Sequence, residues 1–134
     1  MASNRDLSAG ELEWLRETKQ YMLDLLVEEF GHVEFSRSPE DLVPLQRWFD
    51  LYDPEPDQLL DLQGIGVVLG NTIAASSTFE WSFVSNEFGD MIALRNPESG
   101  FVLYPIGMIS KRVEDGRQVD LRALFDECTH RLQS

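Results

Sequence analysis

Phe79-Glu80-Trp81-Ser82-Phe83-Val84 alternates in the manner of a half-buried strand, and it is the stretch that decides the fold. Forward along the chain, Phe88-Gly89-Asp90 reads as a turn and Met91-Ile92-Ala93-Leu94 as a second strand. Asn96-Pro97-Glu98-Ser99-Gly100 gathers the residues that turns require. Phe101-Val102-Leu103-Tyr104 follows as a third strand. Strands joined by such short turns pair antiparallel, so these residues predict a three-stranded meander.

Helices flank it. Ser8 and Glu11 form a capping-box pattern at the head of a helix predicted over residues 8–30. Its apolar stripe is Trp14, Leu15, Tyr21, Met22, Leu25, Leu26 and Phe30, and Gly31 is its stop. Ser38 is the expected cap of a second helix that opens on Pro39 and buries Leu42, Leu45, Trp48 and Phe49. Pro54 and Pro56 make Tyr52–Pro56 a loop. A third helix is predicted from Asp57 to about Ala75, closed by Ser76-Ser77-Thr78. Gly64, Gly66 and Gly70 within it each cost about 1 kcal/mol of helix propensity. That cost predicts another element in close approach. After the meander, Pro105 opens a short helix to Arg112, and Glu114-Asp115-Gly116 is a turn. Asp120 caps a last helix in which Leu121, Leu124, Phe125, Cys128 and Leu132 share a face. The class is α+β, with N-terminal helices and a three-stranded antiparallel meander covered on one face by helices. A chain of 134 residues reads as one domain, with an acidic helical part at 1–56 and the remaining elements at 57–134.

The chain carries 24 acidic against 11 basic side chains, a formal charge of -13. The acids crowd forward: residues 1–61 hold 15 acids and 5 bases, residues 62–134 hold 9 and 6. Such a surface repels nucleic acid and attracts a partner with a basic face. Gly64–Gly70 is the longest strongly apolar stretch, far short of the roughly 20 residues a membrane span needs. The start, Met1 to Asp6, lacks the apolar core of a secretory signal, and the single cysteine has no partner for an internal disulfide. These features point to the cytoplasm, with no membrane partner and no cofactor.

From about Leu69 to Phe125 the chain resembles a bacterial family catalogued as domain of unknown function 3806. The resemblance rests on Leu69-Gly70-Asn71, Trp81, Gly89-Asp90, Ala93-Leu94-Arg95-Asn96-Pro97-Glu98-Ser99-Gly100, Tyr104-Pro105, Met108-Ile109-Ser110-Lys111-Arg112 and Val119-Asp120-Leu121. It implies a bacterial origin and a helix followed by a meander. It brings no activity.

No catalytic or metal-binding constellation is recognisable. Asp53, Glu55 and Asp57 alternate like the opening of a calcium loop, but Gln58 and Gly64 stand where Gly and Glu are required. His32, His130 and Cys128 are too dispersed for zinc. The glycines at 64, 66 and 70 are mis-spaced for a dinucleotide fingerprint and lie inside a helix. Cys128 falls on an apolar stripe, where a thiol is a small core residue. Lys111, Arg112 and Arg117 are expected to pair locally with Glu114 and Asp115, and Arg95 to fork onto Asp90 or Asp120.

Two functional readings remain. The first is a non-catalytic acidic protein-binding module of the immunity or adaptor type. It would use Trp48, Tyr52, Asp53, Glu55 and Asp57, where aromatics interleave with acids around a rigid loop. The same residues also read as core aromatics beside solvated acids. The second is a small-molecule binder or unrecognised enzyme with a pocket between sheet and helices, lined by Trp81, Arg95 and Tyr104. A homodimer burying an apolar face is compatible with either.

Overall fold

The computed structural model describes residues 3–87 and 89–131. Strand β1 (Ser3–Arg5) is followed by helix α1 (Ala9–Phe30), a 3₁₀ turn at Pro39–Asp41, α2 (Leu42–Tyr52) and α3 (Leu59–Ala75). Strands β2 (Glu80–Asn86), β3 (Gly89–Arg95) and β4 (Val102–Leu103) come next, then α4 (Pro105–Glu114) and α5 (Leu121–Asp126). A π-helical turn at Glu127–Arg131 continues α5. Phe88 and Leu132, assigned above to a turn and to the last apolar stripe, lie outside the described residues.

The sheet is antiparallel in the order β1-β2-β3-β4. It therefore has four strands where the sequence predicts three. The extra strand, Ser3–Arg5, pairs with Ser85, Val84 and Phe83 of β2. Three residues are too few to display a period of two, so contacts hold it, not pattern. The Arg5 guanidinium lies 4.0 Å from the centre of the Phe83 ring and forks onto Glu11 with two bonds of 2.8 Å. Ser82 Oγ donates to the Arg5 carbonyl at 2.9 Å. Glu11 also completes the capping box, accepting from the Ser8 N–H at 2.8 Å while the Glu11 N–H donates to Ser8 Oγ. One carboxylate thus joins the edge strand to the start of α1.

The meander is otherwise as expected, with β4 shorter than predicted. Trp81, Leu94 and Leu103 stand opposite one another in register and share a face. Phe79, Leu94 and Leu103 belong to the main core together with Met22, Leu45, Leu62, Leu69, Ile73 and Leu121, and Trp81 packs against it. Ser82, Val84 and Ala93 on the alternate face are buried as well. Covering on one face is therefore too simple for this hairpin. Asn96 closes the β3–β4 turn: its side-chain oxygen accepts from the Glu98 N–H at 2.9 Å, and Gly100 adopts a φ of 81°.

The glycines of α3 are explained by what lies on them. A Cβ at Gly66 would sit 2.5 Å from the Ile106 Cα and 2.7 Å from the Pro105 carbonyl oxygen. At Gly70 it would sit 2.4 Å from the Trp81 ring. The first turn of α4 and the indole of β2 rest directly on the α3 backbone. At Gly64 the neighbour is Met22 of α1, at 3.1 Å.

The entry to α2 corrects one expectation. Ser38 holds the cap position but makes no side-chain capping bond. The organising group is the buried Asp41 carboxylate, which accepts from the Ser36 N–H at 2.9 Å and the Arg37 N–H at 2.8 Å. Asp120, by contrast, caps α5 as predicted, accepting from the Ala123 N–H at 3.0 Å. Ser77 ends α3 by bonding the Ile73 carbonyl at 2.6 Å.

Two predictions follow from these contacts. Gly66→Ala forces backbone against backbone and should cost about 2 kcal/mol or more in urea unfolding. Gly107→Ala, where an added Cβ meets nothing within 4 Å, should be neutral or stabilising by up to about 1 kcal/mol. The second concerns Glu11, whose carboxyl is held down to about 2, first by the bond from Arg5 and then by the Ser8 N–H. A depressed carboxyl stabilises the fold above its ordinary value of 4.5, and that contribution disappears as pH falls toward about 2. Melting curves of Glu11→Gln should lack this part of the acid slope, while Glu17→Gln should retain it.

Candidate functional site

The loop after α2 is built by proline and by a left-handed cap. The Asp53 N–H donates to the Phe49 carbonyl at 2.8 Å, and Asp53 adopts a φ of 44°. The chain then enters Pro54, which is buried. Gln58 closes the loop, its side-chain oxygen accepting from the Glu55 N–H at 2.8 Å and its amide donating to Asp61 at 2.9 Å. Asp61 also accepts from the Tyr21 hydroxyl, and this bond pushes the Tyr21 phenol up to about 12. A relay of side chains therefore ties the acidic loop to α1 and α3.

Opposite this loop runs the segment between α4 and α5. Gln46 of α2 fixes it, donating to the Val119 carbonyl at 3.0 Å and accepting from the Leu121 N–H at 2.8 Å. The same amide donates to Asp50 at 2.9 Å. Between the two segments lies a groove of about 590 Å³. Its apolar surface comes from Phe49, Pro54, Val113 and Val119, its acidic side from Asp50, Asp53 and Glu55, and Arg117 lines it from the other segment.

The groove takes up part of the predicted partner site. Asp53 and Glu55 line it, and neither carboxylate has a hydrogen-bond or ion-pair partner among the described residues. Asp57 is exposed but does not line it. Trp48 is only 5% exposed and belongs to the core, so its ring is not available to a partner. Tyr52 is exposed, its ring tilted against Trp48 and its hydroxyl donating to Glu29 of α1, which raises its phenol pKa. Val113, Gln118 and Val119 were not foreseen as site residues, whereas Phe49 and Asp50 fall within the aromatic and acidic stretch from Trp48 to Asp57. Only folding brings the two segments together, and no local pattern announces it. Among the described residues Lys111, Arg112 and Arg117 make no ion pair with Glu114 or Asp115, and Arg117 lines the groove.

Trp81 and Arg95 of the second predicted set stand on opposite faces of the sheet. The Trp81 indole N–H donates to Asn71 at 2.9 Å, so its polar end is already used inside the fold. Arg95 stands opposite Glu80 in register but forms no ion pair among the described residues. Its expected partners are engaged elsewhere, Asp90 with Ser85 and Asp120 with Ala123. Tyr104 accepts from Asn86 Nδ2 at 3.0 Å and lines a separate cleft with Trp14, Met91, Ile92, Ile106 and Gly107.

Cys128 is 4% exposed, and burial pushes its thiol up to about 11, a setting that suppresses the nucleophilic thiolate. Among the described residues no three His, Cys, Asp or Glu side chains gather as metal ligands. No described helix is long and apolar enough to cross a membrane.

The family model described as domain of unknown function 3806 matches residues 41–125. Both walls of the groove fall inside that span, whereas β1 and α1 precede it. The fold resembles a crystal structure of a protein from Bacteroides thetaiotaomicron VPI-5482, determined at 1.50 Å, with a TM-score of 0.83 and 16% sequence identity. The likeness covers 94% of this chain and 46% of that one, so this chain spans less than half of that protein. At this identity the likeness concerns the fold. No curated protein matches.

The clamp made by Gln46 can be checked directly. Gln46→Leu leaves a carbonyl and an N–H of the 119–121 segment without partners. It should cost about 2 kcal/mol or more. Amide exchange at Leu121 should accelerate by more than exchange within α3.

Proposed function

This chain belongs to the family of domain of unknown function 3806, and from that premise we propose that it is a non-catalytic acidic protein-binding module. Its partner is a basic protein surface received in the groove between the α2–α3 loop and the α4–α5 segment. The observation that carries the proposal is the combination within one groove of an apolar surface and unspent carboxylates at Asp53 and Glu55. A lysine or arginine stem suits the half-buried Val113, and its charged head suits the exposed acids of the facing loop. The net charge of -13 supports fast, salt-dependent capture of such a surface. Arg117 supplies one charge of opposite sign, a basis for choosing among basic partners.

Acidity and an unreactive buried thiol suit an inhibitor of the immunity type or an adaptor. A cytoplasmic setting belongs to the same proposal, since a basic partner made in the same cell would be met there.

An arginine-rich peptide serves as the probe, followed by amide NMR. Shifts should concentrate at residues 53–58 and 116–119 and weaken as salt rises. Asp53→Asn with Glu55→Gln should weaken binding several-fold, while Glu17→Gln with Glu98→Gln, an equal change of charge elsewhere, should weaken it little. Equal losses from the two pairs would reduce the effect to net charge and defeat the proposal.

A further inference from the structure

We propose that the cleft between α1, β3 and the first turn of α4 binds a small neutral molecule, about one ring in size, that carries an oxygen acceptor. The site is separate from the acidic groove and shares no residue with it.

The cleft has a volume of about 300 Å³. Its lining is Trp14 from α1, Met91 and Ile92 from β3, and Tyr104, Ile106 and Gly107 where β4 passes into α4. None of these side chains is charged. A charged ligand would find no counter-charge among these side chains, and an anion would also meet the field of an acidic protein. The lining therefore selects a neutral apolar body.

Size selects further. A dry cavity of about 150 Å³ already holds benzene, and ligand pockets begin at about 300 Å³. One ring with a short substituent fits.

The polar groups choose the ligand's functional group. The Tyr104 oxygen accepts from Asn86, but its own O–H finds no acceptor among the described residues. The Trp14 indole N–H likewise has none. Both are donors, so the ligand group they suit is an acceptor such as a carbonyl oxygen. The cleft owes its shape to the close approach at Gly66, which seats Ile106 against α3, and to the bare Cα of Gly107, beside which no atom lies within 4 Å of an added Cβ.

Acetophenone and ethylbenzene are probes of nearly equal size, one with a carbonyl oxygen and one without. Methyl NMR on the full chain should show saturable shifts at Met91, Ile92 and Ile106 with acetophenone. Ethylbenzene should bind roughly three- to tenfold more weakly, the worth of one hydrogen bond. Tyr104→Phe should bring acetophenone down to the level of ethylbenzene. Gly107→Leu should abolish both, and Asp53→Asn with Glu55→Gln should change neither. The proposal falls if shifts do not saturate, if the two probes bind equally, or if binding survives in a folded Gly107→Leu protein. It falls equally if those methyls shift with protein concentration alone, which would make the cleft a contact between two copies. Should Gly107→Leu fail to fold, the comparison of probes in Tyr104→Phe still decides.

Discussion

The bare backbone of α3 at Gly66 and Gly70 is the constraint on which the rest depends. Helix interiors normally keep neighbours away by the width of a side chain, and interaxial distances of about 8–10 Å follow from that. Here the Cα of Ile106 and the ring of Trp81 occupy the space where two Cβ atoms would stand. The first contact fixes the start of α4 and the second fixes the sheet against α3. Leu62, Ile65, Leu69 and Ile73 of the same helix are buried in the main core. The helix is thus enclosed, and the propensity cost of its glycines is offset by contacts that no side chain could replace.

A second organising principle is the division of the carboxylates into two populations. Some are spent on structure: Asp41 on backbone N–H groups, Glu11 on Arg5 and Ser8, Asp61 on Tyr21 and Gln58, Asp120 on Ala123. Others, including Asp53 and Glu55, have no such partner among the described residues. Acids left unpaired near one another repel, and rigid loops beside a groove hold them there regardless. Two glutamines keep that geometry: Gln58 closes the loop that carries the acids, and Gln46 holds the opposite wall.

Most elements were legible because each left a local mark. The capping box of α1, the Asp120 cap and the Asn96–Gly100 turn are patterns of three to five neighbouring residues, and the structure contains all three. The α3 glycines announced a close approach without naming the element. Strand β1 was not legible, because Ser3-Asn4-Arg5 is polar and becomes a strand only through β2, Phe83 and Glu11. Arg95 and Ser38 were misread for the same reason: a side chain that could bond nearby was assumed to do so. Asp53 and Glu55 could be picked out on one wall of the groove. Val113, Arg117 and Val119 on the other could not, since the side-chain bonds seen to join them come from Gln46, a half-buried residue on the polar side of an ordinary amphipathic helix. Nothing in its neighbours separates it from any other surface glutamine.

Helix α4 joins these observations. Its ten residues span about 15 Å, with Ile106 and Gly107 at one end lining the apolar cleft and Val113 at the other lining the acidic groove. Its position is set near one end, by Gly66, so the two concavities are shaped by a single rigid-body placement. They differ in origin, however. Both walls of the groove lie within the residues that match the family, 41–125, while the cleft needs Trp14 from α1, ahead of them. A displacement of α4 at Gly66 would therefore alter both concavities, whereas a change at Trp14 of α1 would reach the cleft alone.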